Sequence, residues 1–176
     1  MTHVPQNIEL LPIREPALRP EDEIPHPRPN YFEIPVGAEN LSTTIAHVDN
    51  VTYVRWIDRI AEMAGEALGH SRKELAEQQR MWFVARHEID YLAETFADDH
   101  IRAATWIHDA RKTGCRRDTM IWREIDGRIE SVARARTTWA WIDLGRRRPC
   151  RMSPDMIKRL DALVPNAAET TRGAGR

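Results

Sequence analysis

The fold of this chain is decided by the stretch His47-Val48-Asp49-Asn50-Val51-Thr52-Tyr53-Val54-Arg55-Trp56. Asp49 or Asn50 can cap a helix here, because a short polar side chain accepts a hydrogen bond from a free first-turn N–H group. Apolar residues then recur with helical spacing, and Gly69 is a typical stop. The periodic positions are Val51, Val54, Ile57, Ile60, Ala61, Ala64 and Leu68. The sequence therefore predicts one long helix that ends at about residue 68.

Strand-like stretches lie on both sides of this helix. A short strand is predicted over residues 31–36, and a short polar helix over 71–79, where Ser71 and Glu74 form a capping box. Four stretches rich in Val, Ile, Thr and Trp follow, at residues 82–92, 101–110, 115–125 and 128–144. A final helix over 154–163 begins after Ser153. The economical arrangement is an α+β fold in which a curved antiparallel sheet, a five-stranded one with a meander, wraps around the long helix.

Two local patterns refine the sheet. Asp126-Gly127 suits the positive φ values of a type I′ hairpin turn between the last two strands. The last strand alternates in character, which predicts one buried face and one wetter face. The buried face would carry Ile129, Ser131, Ala133, Ala135, Thr137, Trp139 and Trp141, and the wetter face Glu130, Arg134 and Arg136.

The ends of the chain differ from its centre. Residues 1–30 hold seven of the eleven prolines, so regular structure is not expected there, and we interpret them as an extended arm that is mobile or packs on a domain or partner. Residues 166–176 are small and polar, which predicts a flexible tail. The folded domain should therefore span residues 31–165.

Composition excludes several classes of protein. The 176 residues are 41% hydrophobic and 30% charged with a net charge of −1, which argues against a disordered chain and against a basic field for nucleic acid. No apolar run is long enough to span a membrane, and no signal peptide is expected. Cys115 and Cys150 do not form a disulfide framework or a zinc motif, so we expect a cytoplasmic protein without a metal.

The stretch that begins at His47 resembles the hotdog-fold acyl-CoA and acyl-carrier thioesterases, the 4-hydroxybenzoyl-CoA thioesterase-like superfamily. The family pattern is Asp-x-x-Gly-His-Val-Asn-Asn-x-x-Tyr, and His47, Val48, Asn50 and Tyr53 match it. Residues 84–92 and 133–139 look like two strands of that family. The resemblance covers roughly residues 31–163 and implies a hotdog fold. It also implies hydrolysis of an acyl-CoA or acyl-carrier-protein thioester and a homodimer or homotetramer.

The sequence departs from the family pattern at the acid. The catalytic Asp of the family lies four residues before the His, where this chain has Thr43. The Gly before the His is Ala46, and the first Asn after His-Val is Asp49. A plant-type branch uses an Asn two residues before the His, and here that residue is Ile45. The usual carboxylate is therefore missing from its usual place.

The resemblance implies roles for the remaining residues. The backbone N–H of Asn50, at a helix N-terminus, would stabilise the oxyanion of a thioester, although Asn50 could equally be a cap residue. Asp49 or Asp58 would act as the base. The alternative role of Asp49 is that of a helix N-cap, and the alternative role of Asp58 is that of a partner in a surface ion pair. His47 would position the carbonyl or act as a base, or be structural, and Thr43 could donate a hydrogen bond but not replace a base.

Substrate binding is expected at two further places. The resemblance implies that Tyr53 lies at the substrate. Arg146, Arg147 and Arg148 could bind CoA phosphates or the acidic face of a carrier protein, or they could form a solvated turn. CoA or phosphopantetheine would enter only as part of the substrate, so no separate cofactor is expected.

Two other functions stay open from the sequence. A non-catalytic module that binds acyl-CoA or an acyl carrier would explain the loss of the usual Asp at Thr43. An acyl-CoA dehydratase or hydratase on the same fold would pair His47 with an acid such as Glu62.

Overall fold

The structure is a computed structural model and describes residues 9–161. An α+β fold is found, as the sequence predicts. In this part of the chain the strands are β1 Leu11–Ile13, β2 Asn30–Ile34, β3 Arg80–Tyr91, β4 Ile101–Arg111, β5 Gly114–Ile125, β6 Arg128–Asp143 and β7 Arg148–Pro149. The α-helices are α1 Asn50–Glu66, α2 Arg72–Glu77 and α3 Pro154–Asp161, and short 3₁₀ helices occur at Glu21–Glu23 and Ala38–Asn40.

All seven strands join one antiparallel sheet in the order β1-β2-β4-β5-β6-β3, with β7 paired to the end of β6. The prediction of a five-stranded sheet was therefore too small. The predicted meander is also only partly right, because β3 does not pair with β4. It crosses over to β6, where Trp82 faces Trp141 and Tyr91 faces Ala133. Such a pairing depends on the far end of the chain, so no local pattern indicates it.

The N-terminal arm contributes to this sheet. Leu11–Ile13 pairs with β2, and the neighbouring Leu10 is buried. The expectation that residues 1–30 lack regular structure is wrong for β1 and for the 3₁₀ helix Glu21–Glu23. Pro12 is compatible with β1 because an edge strand leaves some of its N–H groups without a partner in the sheet. The predicted tail at 166–176 and residues 1–8 lie outside the described residues.

Helix α1 packs its apolar face on the sheet, and four of the predicted apolar positions, Ile57, Ile60, Ala61 and Ala64, are buried. Tyr53, Trp56 and Ile60 are buried, whereas Val51 is 57% exposed. The predicted face is therefore confirmed from Ile57 to Ala64 and differs only in the first turn, where Thr52 and Tyr53 are buried instead of Val51. The cap is as predicted, since the carboxylate of Asp49 accepts a 2.8 Å hydrogen bond from the N–H of Thr52.

A bulge in β6 shifts the alternation of that strand. Ile121 pairs with Ala133 and Trp122 with Ser131, so Val132 has no partner in β5. Ser131 and Arg134 consequently reach the same carboxylate, that of Glu23. The prediction that Ser131 shares a face with Ala133 is wrong for this reason, whereas the burial of Ala135, Thr137, Trp139 and Trp141 on the helix-facing side is confirmed.

Candidate functional site

A cleft opens at the N-terminus of α1, where the loop before the helix meets the segment that leaves β3. It is the place where the structure brings three of the predicted site residues together, namely His47, Asn50 and Tyr53. The other residues that line it are Val48, Tyr91, Leu92, Ala93 and Glu94.

Backbone hydrogen bonds hold the loop before α1 in place. Leu41 and Val48 form an isolated antiparallel bridge, and the N–H of Ser42 donates to the carbonyl of His47 at 2.8 Å. The N–H of Val48 donates to the carbonyl of Thr95 at 2.8 Å, which ties the loop to the segment after β3. His47 is therefore fixed from both sides immediately before the helix begins.

The first turn of α1 carries free donors. The carboxylate of Asp49 accepts a hydrogen bond from the N–H of Thr52. The N–H groups of Asn50 and Val51 also belong to the first turn, whose N–H groups have no acceptors within the helix. The helix dipole adds a partial positive charge at the same end. Such a group of donors can stabilise an oxygen that gains negative charge during a reaction.

A histidine and a carboxylate stand beside these donors. Nδ1 of His47 lies 3.4 Å from a carboxylate oxygen of Glu94, and the His47 side chain is 25% exposed against 64% for Glu94. A carboxylate on one ring nitrogen leaves the other free to accept a proton from water. Glu94 was missed at the sequence level, because it lies 47 residues away in a loop and no motif marks it.

Two tyrosines form the far wall of the cleft. The hydroxyl of Tyr53 donates to Oγ1 of the buried Thr95 at 2.8 Å, and the hydroxyl of Tyr91 donates to the carbonyl of Asn50 at 3.3 Å. Their rings meet edge to face with centroids 5.4 Å apart. Burial raises the pKa of both phenols, so both are neutral donors at ordinary pH. Tyr53 lines the cleft with its ring, while its hydroxyl is used inside the protein.

The other candidate acids and the threonine lie elsewhere. Asp58 is two turns further along α1 and receives a 2.8 Å hydrogen bond from Arg72, the surface ion pair that the sequence left open. Glu62 binds Arg59 at 2.7 Å and Arg72 at 3.2 Å, so within this chain it does not pair with His47. Thr43 is exposed in the loop before the helix and does not line the cleft.

The predicted basic cluster is remote from the cleft within one chain. Arg146, Arg147 and Arg148 are exposed at the turn after β6, close to Asp143. Asp143 pairs with the first residue of β3, whereas the cleft lies at its last residue, Tyr91, which pairs with Ala133. Ten residues of strand separate Ala133 from Asp143, which is about 33 Å.

In the described residues 9–161, no three His, Cys, Asp or Glu side chains are grouped so as to hold a metal ion. Cys115 is buried, which raises the pKa of its thiol to about 11 and keeps it protonated. Across the same residues, no helix has the length and apolar character needed to cross a membrane.

A comparison with known protein families found a match. The sequence model of the thioesterase-like superfamily matches residues 43–160. Comparison with curated protein sequences gave no match.

Solved structures with the same fold include several thioesterases. A hypothetical protein from Staphylococcus aureus in complex with CoA has a TM-score of 0.70 at 17% identity, covering 79% of this chain and 87% of that one. A DHNA-CoA thioesterase, also from Staphylococcus aureus, has a TM-score of 0.69 at 17% identity, with 83% and 95% covered. A 4-hydroxybenzoyl-CoA thioesterase mutant complexed with 4-hydroxybenzoyl-CoA has a TM-score of 0.69 at 17% identity, with 76% and 99% covered. The hotdog fold expected from the sequence is thereby confirmed.

Proposed function

Because the chain belongs to the thioesterase-like superfamily, we propose that it hydrolyses an acyl-CoA thioester in the cleft at the N-terminus of α1. The observation that carries the proposal is the position of the His47–Glu94 pair beside the free first-turn donors of α1. CoA takes part only as the leaving group of the substrate, and the reaction needs no further cofactor.

The chemistry follows from the two parts of the cleft. The thioester oxygen accepts a hydrogen bond from the N–H of Asn50, which makes the carbonyl carbon more electrophilic. His47 takes a proton from a water molecule as the water oxygen bonds to that carbon. The tetrahedral intermediate then collapses, the C–S bond breaks, and the CoA sulfur leaves with the proton from His47. A carboxylic acid and a free thiol are the products. Glu94 orients the imidazole throughout.

Asp49 and Asp58 remain alternative bases. One carboxylate oxygen of Asp49 caps Thr52, and as a base Asp49 would use the other. Asp58 does not reach the cleft of its own chain, so it could act only in the cleft of a second copy.

The proposed active form is a homodimer that pairs through β3. This strand has twelve residues and pairs with β6 on one side, so its other edge is free in the described chain. Exposed apolar side chains follow it, including Phe83, Val84 and Tyr91. An unpaired edge of this length is a template for another strand.

Antiparallel pairing would also bring the basic turn to the cleft. In a two-fold β3–β3 pair, the end of one strand lies beside the start of the other. The Tyr91 end of one copy would then neighbour the Arg80 end of the second copy, where residues 146–148 form the exposed basic turn. Three arginines at the mouth of the cleft suit the phosphates of CoA.

Both cysteines are free thiols, which supports a reducing compartment such as the cytoplasm as the setting of this reaction.

The test is release of free thiol from short, medium, long and aromatic acyl-CoAs, and from an acyl carrier protein. We expect turnover on one class of acyl-CoA. His47→Ala should lower kcat by about 10²–10⁴-fold, the range for loss of a general base. His100→Ala, at an exposed histidine outside the cleft, is the matched control and should leave kcat unchanged.

Three further variants identify the base. Glu94→Gln should lower kcat by less than His47→Ala, because it removes orientation and not the base itself. Asp49→Asn and Asp58→Asn should retain most of kcat. A collapse of kcat in either aspartate variant, with His47→Ala still active, would assign the base to that aspartate instead.

The second candidate is a module that binds acyl-CoA without hydrolysis. It is favoured by Thr43, an exposed side chain that is not a base at the position of the family's acid. No thiol release from any substrate, together with saturable CoA binding, would establish this function in place of hydrolysis.

A further inference from the structure

A second cavity lies at the other end of α1, lined by residues of α1, α2, α3 and the inner face of the sheet. Its volume is about 70 Å³, and its walls are largely apolar. They include Ala61, Gly65, Leu75, Trp82, Trp139 and Met156. Ala61 is eleven residues beyond Asn50, so this cavity begins about 16 Å along the helix from the proposed thioester site.

A buried arginine forms part of the wall. Arg117 is 6% exposed, and its guanidinium donates to Oγ1 of Thr105 over a long 3.4 Å. That hydroxyl also donates to the carbonyl of Asp118 at 2.8 Å, so it is a shared and weak partner. In residues 9–161 no carboxylate lies within ion-pair distance of Arg117. The carboxylate that lines the cavity, Glu62, is already bound by two other arginines.

A buried guanidinium without a counterion is costly, since a charge loses its hydration on burial and must be compensated by a partner. Burial lowers the pKa of Arg117, in keeping with this cost. Guanidinium groups nonetheless remain charged in proteins. The positive charge therefore faces the cavity without an anion to balance it.

Two further polar atoms at the cavity lack partners. Nε1 of Trp139 and Nε2 of His70 are buried and have no hydrogen-bond partner in the described chain. Trp139 lies diagonally across from Arg117 on the next strand, because Arg117 pairs with Thr137 and Cys115 with Trp139. An indole N–H and a guanidinium on the same inner face are both donors, and both need an acceptor.

We propose that this cavity binds a small carboxylate with an apolar body, whose carboxylate group accepts hydrogen bonds from Arg117 and from Nε1 of Trp139. The planar fork of a guanidinium matches the two oxygens of a carboxylate. The apolar walls formed by Leu75, Trp82 and Met156 receive the rest of the molecule. The site is separate from the thioester cleft, and its occupancy does not depend on hydrolysis there.

The size and lining of the cavity select the ligand. An engineered apolar cavity of about 150 Å³ admits benzene, so about 70 Å³ suits a short chain. A simple inorganic anion would satisfy Arg117 but would leave the apolar walls without contacts. An alcohol of equal length would fill the walls but leave the charge without a counterion. The site should therefore discriminate in favour of ligands that have both parts.

The test compares propionate and butyrate with 1-propanol, 1-butanol and chloride at constant ionic strength. Binding is measured by calorimetry and by the shift in Tm of the full chain. We expect each carboxylate to bind at least tenfold more tightly than the alcohol of the same length, and more tightly than chloride. Equal binding of the carboxylate and its alcohol, or of carboxylate and chloride, would overturn the proposal, the latter outcome indicating an adventitious ion only.

Variants locate the binding on Arg117. Arg117→Met should weaken the binding of butyrate at least tenfold and leave that of 1-butanol unchanged, while Arg117→Lys should retain part of the preference. Arg116→Gln is the matched control, because Arg116 directly precedes Arg117 on β5, faces outward and pairs with Asp109. An equal loss in Arg116→Gln and Arg117→Met would contradict a site at Arg117. The comparison of carboxylate with alcohol uses the unmodified protein, so it stands even if a variant fails to fold.

Discussion

Tyr53 and Thr95 are joined by a 2.8 Å hydrogen bond although 42 residues separate them in the chain. Thr95 is fully buried, and its carbonyl also accepts the N–H of Val48. Thr95, four residues after the end of β3, therefore holds both the first turn of α1 and the loop that carries His47. The two sides of the cleft, the helix donors and Glu94, are kept together by this contact.

Removing both partners of this bond should cost less free energy of unfolding than the two single removals added together. Tyr53→Phe leaves Oγ1 of Thr95 without its donor, and we expect a loss of about 1–3 kcal/mol in the free energy of unfolding. The double variant Tyr53→Phe/Thr95→Val should cost less than the sum of the single variants, because no buried polar atom is left alone. Chemical denaturation of the four proteins measures the coupling, and strict additivity would show that the bond does not contribute.

Gly114 is required by a close approach between strands. A Cβ at this position would collide with the carbonyl oxygen of Trp139 on β6. Gly114→Ala should therefore lower the free energy of unfolding by about 1–3 kcal/mol, the usual range for overpacking. Gly65→Ala is the contrast, since a Cβ there meets an ordinary contact and alanine favours a helix by roughly 0.5–1 kcal/mol. In thermal unfolding, Gly65→Ala should have a higher Tm than the unmodified protein, and Gly114→Ala should have a lower one.

His26 should make stability depend on pH. It is buried, its Nδ1 accepts the N–H of Arg28 at 3.0 Å, and burial together with the charges of Arg28 and Arg117 lowers its pKa. As pH falls below about 6.5, the ordinary value, the unfolded chain binds a proton that the folded chain does not. The free energy of unfolding should therefore decrease as pH falls through this range and be fully retained above it.

The comparison of His26→Asn with His100→Asn isolates this effect. The first variant should show a smaller decrease in Tm between pH 7.5 and 5.5, whereas the second, at an exposed histidine, should follow the unmodified protein. Parallel curves for all three proteins would rule out His26 as the source.

Local features of the fold could be predicted from the sequence because their causes are local. Asp49, Ser71 and Ser153 cap the helices that were expected after them, since each accepts a hydrogen bond from an N–H three residues on. Asp126 and Gly127 both have positive φ, as the hairpin turn requires. In each case a few neighbouring residues determine the geometry.

Features that depend on distant residues could not be predicted. The pairing of β3 with β6 and the proximity of Glu94 to His47 arise from chain segments about 50 residues apart. The bulge at Val132 moved Ser131 to the other face, which a strict alternation cannot anticipate. Arg117 was not singled out either, because one arginine among 23 gives no sign in the sequence that it is buried.

The free edge of β3 provides the last prediction, on assembly. Val84 is 38% exposed on this strand, and Val84→Glu would place an unpaired charge in the seam of each copy where β3 pairs with β3. We expect a protein that is folded but elutes near the monomer mass of 20.4 kDa and has lost thioester turnover, because the basic turn no longer reaches the cleft. Sedimentation velocity and circular dichroism measure the assembly and the fold.

The opposite edge of the sheet supplies the control. Leu11 is 44% exposed on β1, so Leu11→Glu adds the same charge at a similar exposure to the other edge strand. This variant should keep the mass and the turnover of the unmodified protein. If Leu11→Glu dissociates the protein while Val84→Glu does not, the subunits meet through β1, and the second copy's residues 146–148 do not serve the cleft. The dependence of turnover on protein concentration then separates the two arrangements, since only pairing through β3 makes the cleft lose its phosphate contacts on dilution.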